Sequence, residues 1–212
     1  MEILKISEPD ILERVFAVLR EGGVVCVPTD TVYGFVADAT NEAAVRAIFE
    51  IKGREDGKPF PVFVSGIKMA KEYANISSQQ EKFLQAVWPG AVTAVLRIMN
   101  NELRITDKVV RDGTIGMRAP KDDFLLKILR EIGVPLAQSS ANVSGRLPAR
   151  NAEEVCAYFG ERRPSPAFVV DGGERGGEAS TVIDLSGKAP RVLREGALPS
   201  EEIFRLLGSF GL

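Results

Sequence analysis

Short apolar runs of strand length and amphipathic stretches of helix length alternate along this chain, and that alternation constrains the fold more than any other feature. Ile11, Leu12, Val15, Phe16, Val18 and Leu19 recur at helical spacing behind Ser7, an expected N-cap, and Gly22-Gly23 ends the stripe. Val24-Val25-Cys26-Val27 follows at once and stops at Pro28. An apolar run of that length with no polar alternation reads as a strand covered on both faces. The same reasoning predicts helices over 41–52, 68–74, 78–87, 122–132, 152–159 and 200–207. It predicts strands over 60–64, 91–98, 114–118, 134–137, 168–170, 181–185 and 191–194. Elements interleaved in this way fold as an α/β sheet with helices packed on it. No repeat or low-complexity linker interrupts the 212 residues, so one domain, 1–212, is expected. The widest glycine-rich stretch, Asp171-Gly-Gly-Glu-Arg-Gly-Gly-Glu178, lies between two predicted strands and reads as a mobile loop.

The chain contains no histidine. That removes Ser-His-Asp and Cys-His nucleophile pairs, histidine general bases and histidine-ligated zinc, leaving hydroxyls, carboxylates, amines, guanidinium groups and backbone amides to do any chemistry. Lys and Arg number 27 against 29 Asp and Glu, a net charge of −2, which argues against wrapping duplex nucleic acid but allows a local basic groove. No run approaches the roughly 20 apolar residues that span a bilayer. The first residues lack a basic segment leading into an apolar one, so a cytoplasmic protein is expected. Cys26 in an apolar run and Cys156 on a helical pattern read as buried thiols. Familiar nucleotide loops are missing: the Gly53–Pro59 segment has a Gly-Lys pair without the spacer and hydroxyl of a Walker A loop, and no Gly-x-Gly-x-x-Gly occurs.

Four polar clusters follow predicted strands, where α/β sheets carry their ligands. Pro28-Thr-Asp-Thr-Val-Tyr-Gly34 offers hydroxyls, a carboxylate and a phenol, though a polar turn would use the same residues. Lys52, Arg54 and Lys58 make a cationic, glycine-flexible loop suited to a polyphosphate, or a solvated charge run. Gln138-Ser-Ser-Ala-Asn-Val-Ser-Gly145 offers neutral donors to an anion or base, or an N-cap. Arg118, behind Thr114 on an apolar strand, and Arg194, with Ser180-Thr181 nearby, need anionic partners, either an internal carboxylate or a ligand. Cations and hydroxyls without a nucleophile or metal cage suit reactions in which the substrates bring the nucleophile, phosphoryl or nucleotidyl transfer above all.

These stretches, with Thr114-Ile-Gly-Met-Arg118-Ala-Pro120, Ser180-Thr-Val-Ile-Asp184 and Val192-Leu-Arg194-x-Gly196, resemble the YrdC-like L-threonylcarbamoyladenylate synthases over about residues 24–196. The resemblance implies a single α/β domain whose twisted mixed sheet, flanked by helices, curves around a concave cavity. It implies condensation of L-threonine, bicarbonate and ATP to threonylcarbamoyl-AMP and pyrophosphate, for tRNA threonylcarbamoyladenosine. Mg²⁺ would be held mainly by the ATP phosphates, and no protein metal ligand is implied. By motif position, Thr31, Tyr33, Arg118, Gln138 and Ser180 would bind threonine. Lys52, Arg54, Lys58, Thr114, Ser140, Asn142 and Arg194 would bind ATP, with Lys52 and Arg54 the catalytic pair. Partners implied are a threonylcarbamoyl-transferase complex that receives the intermediate, and tRNA or other RNA. A histidine that contacts threonine in some members aligns with Phe63, so that contact is absent here. Many relatives have proline where Glu55 stands and asparagine at the Lys58 position. The second, C-terminal domain of longer members has no room in 212 residues, so closure of the site is expected to fall to loops such as 172–177 or to a partner. The alternative reading is a non-catalytic RNA-binding module using the same concave face; the net charge and the lack of an aromatic-rich strand count against it.

Overall fold

A computed structural model describes residues 1–53, 59–99, 105–143 and 145–212. Among these, twelve strands, numbered in chain order, join one twisted sheet. From edge to edge it runs β1 (Glu2–Lys5), β10 (Phe168–Asp171), β2 (Val25–Val27), β3 (Gly34–Asp38), β9 (Leu136–Ser140), β4 (Val62–Phe63), β8 (Thr114–Arg118), β6 (Val92–Ile98), β11 (Thr181–Asp184) and β12 (Arg191–Arg194). Two short strands extend it, β5 (Ala74–Asn75) beside β6 and β7 (Val110–Arg111) beside β8. Parallel pairs such as β1·β10, β4·β8 and β6·β11 mix with antiparallel ones, and the two ends do not meet, so the sheet is open and mixed.

The register explains where a ligand can sit. Ala137, Val62, Met117, Ala94 and Ile183 form one cross-strand row. All five belong to the larger core cluster, sealed by α2 (Glu42–Lys52), α3 (Ile67–Tyr73), α4 (Ser78–Val87), α6 (Ala152–Phe159) and α7 (Ser200–Phe210). One residue along each strand the side chains point to the other face. There α1 (Ile11–Arg20) and α5 (Asp123–Ile132) cover only the half formed by β1, β10, β2, β3, β9 and β4, burying Leu4, Val170, Val27, Val36, Leu136 and Phe63. Val15, Leu19, Leu125 and Leu129 are wholly buried in that layer, each contributing about 2 kcal/mol. Over β8, β6, β11 and β12 the same face carries no helix among the described residues, and it forms the floor of a cavity.

Helices at 78–87 and 152–159 form as expected, the first closed by a Ser77/Gln80 capping box and the second by Asn151. Three expectations change. Asp10, not Ser7, is the N-cap of α1, while Glu8 accepts from the Lys5 amide in the preceding turn. Strands β1 and β3 were not expected: β1 buries only Leu4 and therefore shows no apolar run, while β3 begins within the polar cluster at Gly34. The strand expected over 134–137 instead spans Leu136–Ser140, so Gln138 and Ser140 are strand residues rather than loop residues. Cys26 is buried as expected, but Cys156, midway along α6, is only partly so. Among the described residues no helix is long and apolar enough to cross a membrane.

Candidate active site

The uncovered floor and the loops around it enclose about 930 Å³. Its lining includes Thr29, Thr31, Tyr33, Arg118, Gln138 and Ser180, together with Thr114, Ser140, Arg97, Arg111 and Arg194. Thr93, Val95 and Gly116 belong to its floor. A Cβ at Gly116 would stand 3.3 Å from Pro61 Cβ, so glycine keeps that floor flat.

Thr31 is set by the turn that follows β2. Thr29 Oγ1 donates to the Val32 carbonyl at 2.7 Å and accepts from the Thr31 and Val32 amides, which folds the chain back so that Thr31 faces the cavity. Arg118 ends β8 and is 2% exposed. Its guanidinium pairs with Asp30, donates from Nε to the Gly90 carbonyl at 2.9 Å, and reaches Thr31 Oγ1 at 3.4 Å. Three of its five N–H groups are thereby engaged, leaving one on each terminal nitrogen for a carboxylate. Burial pulls the arginine below its ordinary pKa, and Asp30 opposes that shift and keeps the charge in place. Asp30 is held by its second oxygen, which accepts from the Lys121 amide at 3.0 Å.

Ser180, immediately before β11, and Thr93, on the adjoining β6, have their hydroxyls 2.9 Å apart. Arg194 donates to the Ser180 carbonyl at 2.7 Å and to its hydroxyl at 3.3 Å, and burial together with the nearby Arg118 charge lowers its pKa. The Gln138 amide also faces the cavity.

Tyr33 lines the cavity too, but its hydroxyl is engaged: it donates to the Gly173 carbonyl at 2.9 Å and accepts from the Gly172 amide at 3.1 Å. Burial pushes it up to about 12. The glycine-rich loop that was expected to be mobile is thus tethered at its start, and again where the Gly177 amide donates to the Thr31 carbonyl and Arg175 to that of Arg150. At Gly177 a Cβ would lie 2.9 Å from the Thr31 carbonyl oxygen, so only glycine lets the loop approach this closely.

Lys52, at the C-terminus of α2, is buried behind the cavity wall rather than in its lining. Its ammonium donates to the carbonyls of Ser140 (2.5 Å) and Asn142 (3.0 Å) and to Asn142 Oδ1 (2.8 Å), which in turn accepts from Ser140 Oγ. Lys52, Ser140 and Asn142 are therefore one hydrogen-bonded unit, and Ser140 presents it to the cavity. Arg54 and Lys58 lie outside the described residues. Thr114 lines the cavity with its hydroxyl bonded to the Arg111 carbonyl. Phe63, where the resemblance led to the expectation of a missing threonine contact, is buried among the α1 and α5 side chains and is not in the cavity lining. The Arg118 guanidinium sits over its ring at 5.7 Å, so Phe63 supports that arginine from beneath.

Sequence reasoning passed over Asp30 as a partner, and Thr93, Arg97 and Arg111 altogether. A usable signal existed for two of them: Thr93 and Arg97 interrupt the apolar strand at even spacing, which puts both on one face.

Comparison with known proteins agrees with this geometry. The sequence model of the Sua5/YciO/YrdC family, described as telomere recombination, matches residues 17–196. The threonylcarbamoyl-AMP synthase of Bacillus subtilis (strain 168) is 35% identical over 209 residues, covering 97% of this chain and 58% of that protein. Its counterpart from Pyrococcus abyssi is 36% identical over 195 residues, covering 90% and 55%. This chain thus spans a little over half the length of those curated relatives. The crystal structure of P. abyssi Sua5 complexed with L-threonine superposes with a TM-score of 0.87 at 32% identity, over 98% of this chain and 60% of that one. E. coli YciO, at 22% identity, shares the fold with a TM-score of 0.82 over 96% of this chain and 97% of its own.

Proposed function

Because the chain belongs to the Sua5/YciO/YrdC family, we propose that it is an L-threonylcarbamoyladenylate synthase, a nucleotidyltransferase acting on L-threonine, bicarbonate and ATP. The observation that carries this reading is a single cavity lined both by Arg118, which keeps two N–H groups beside Thr31, and by further cations and hydroxyls, Arg194, Ser180, Ser140 and Thr114 among them. The threonine carboxylate pairs with Arg118, and its hydroxyl lies among Thr31, Thr93 and Ser180. Its amine takes up the carbon of bicarbonate, with loss of water. An oxygen of the resulting carbamate then attacks the α-phosphorus of ATP, and the bond to the β-phosphate breaks to release pyrophosphate. The protein's part is to bring the two substrates together and to stabilise charge on the phosphoryl oxygens, which needs no histidine.

Among the described residues no three His, Cys, Asp or Glu converge as a metal cage, and the neutral hydroxyls of Ser140 and Thr114, which line the cavity, fit a Mg²⁺ carried by the triphosphate. Bound there, the ion would neutralise charge gathering on the leaving pyrophosphate. The product is a labile mixed anhydride, so the reading includes hand-off to a threonylcarbamoyl transferase acting on tRNA.

Pyrophosphate release measured with each substrate omitted in turn tests the proposal. Release should require both L-threonine and bicarbonate, and equal release without threonine would rule it out.

A further inference from the structure

The strand register sets out the side chains of the uncovered sheet face as a grid. Val182 on β11 stands beside Thr93 on β6, Asp184 beside Val95, and Val95 beside Gly116 on β8, and all of them line the cavity. Val182 and Val95 are diagonal neighbours, so with Gly116 they make a flat apolar strip across three strands. Both valines are only partly buried. Leu193 on β12 continues the strip and is 52% exposed. The pairing of β12 with β11 shifts between Val182, opposite Arg194, and Ile183, opposite Val192. Leu193 is therefore the extra residue of a bulge, and it lines the cavity together with Arg194. A bulge that turns a leucine into a polar cavity serves a ligand with an apolar surface.

Two charged side chains border the strip with bonding capacity left over. Asp184 Oδ1 accepts from the Ser186 amide at 2.8 Å and from its hydroxyl at 2.6 Å, while the other carboxylate oxygen has no partner among the described residues. Arg97, two residues beyond Val95, donates from Nε to the Ser186 carbonyl at 3.0 Å, and its terminal nitrogens have no partner there either. A carboxylate only accepts and a guanidinium only donates, so a flat ligand on the strip must offer one donor and one acceptor along its edge. Adenine does so, with the N6 amine next to the N7 acceptor. A phosphate chain would be repelled by Asp184, and an acyl chain would leave both charges idle.

We propose that Val95, Val182 and Leu193 form a nucleobase shelf, with Asp184 accepting from the adenine amine and Arg97 donating to the ring nitrogen beside it. This rests on the function proposed above and adds to it the residues that hold and read the base of ATP.

The test is calorimetric titration of ATP, inosine triphosphate and L-threonine into the wild-type chain, Leu193→Ala, Leu193→Met and Asp184→Asn. Leu193→Ala should weaken ATP binding by about 3- to 10-fold through the apolar area it takes from the shelf, with threonine binding within about twofold of wild type. Leu193→Met, which restores that area, should bind ATP within about twofold of wild type. Inosine triphosphate carries a carbonyl in place of the amine, and the wild type should bind it at least about 10-fold more weakly than ATP. Asp184→Asn keeps an acceptor for the Ser186 amide and can donate to that carbonyl, so the preference should fall to about threefold or less. Unchanged ATP binding in Leu193→Ala would overturn the inference, as would equal binding of the two nucleotides by the wild type or an unchanged preference in Asp184→Asn. Equal losses of ATP and threonine in Leu193→Ala would make the leucine merely structural and overturn it too. Failure of the wild-type chain to bind ATP at all would instead remove the proposed function, and the inference with it.

Discussion

Replacing Asp30 with asparagine isolates what the buried ion pair does. Asp30 and Arg118 have side chains 11% and 3% exposed, so the guanidinium has almost no water to fall back on when the carboxylate charge is lost. Its remaining partners, the Gly90 carbonyl at 2.9 Å and Thr31 Oγ1 at 3.4 Å, are neutral. Breaking a buried pair by removing one charge costs about 3–5 kcal/mol, and asparagine, which keeps an acceptor, belongs at about 3 kcal/mol. For a chain of this size that corresponds to a loss of about 6–12 °C in Tm. A ligand carboxylate would restore the missing negative charge, so threonine should raise the Tm of Asp30→Asn more than that of wild type, by mass action on a tighter complex. Threonine amide, which lacks the carboxylate, should not. Scanning calorimetry of both proteins with and without each ligand makes the comparison. A variant melting within about 2 °C of wild type, or gaining as much from the amide as from the acid, would refute the reasoning.

Lys52→Ala removes the ammonium that three acceptors share, and with it the charge-assisted bonds that tie Ser140 and Asn142 to α2. Stability should fall by about 2–4 kcal/mol in urea unfolding, and pyrophosphate release should fall at least about 100-fold. Arg54→Ala should also abolish most of the release. Tyr33 carries a pKa raised from 10.0 to about 12, so the folded state holds its proton where the unfolded chain has lost it. That contribution to stability is constant below pH 10.0 and is lost as pH rises toward about 12. Tyr33→Phe should flatten this alkaline decline in urea midpoints taken across that window; an unchanged slope would show that the phenol is not its source. Gly196→Ala would drive a Cβ to 2.1 Å from the Ala179 carbonyl oxygen and push on Ser180. A loss of about 1–3 kcal/mol is expected, with weaker threonine binding in the same titrations.

How much of the site was legible in the sequence depended on the range of the interaction. Asn41, Ser77, Asp122 and Asn151 cap their helices through bonds spanning three residues, a range at which residue type is informative, yet Ser7 has the same type and caps no helix. Arg118 was recognisable as needing an anion, because a guanidinium on an apolar strand is costly alone, but Asp30 lies 88 positions away and nothing local points to it. Tyr33 was grouped with the ligand-binding hydroxyls on its neighbourhood, and its bond to a glycine loop 140 positions distant could not be foreseen. Strand β9 was placed too early because Gln138, Ser139 and Ser140 are polar; they face or border a cavity, and that exempts a strand from the apolar pattern used to detect it.

The sequence by itself therefore determined the class of fold, the helices and most of the strands, and the absence of imidazole chemistry, since all three follow from periodicity and composition. It also carried, through short motifs, most of the residues that meet in the cavity. Only the tertiary structure decided that α1 and α5 cover half of one sheet face and leave the rest open, which is why a cavity exists at all. It also decided that Lys52 bonds the Ser140 carbonyl from outside the cavity lining and that Phe63 lies under Arg118. The physical reason is that face and register are set by strand pairing across the whole chain, and a side chain's partner is whatever that pairing brings within 3 Å or so.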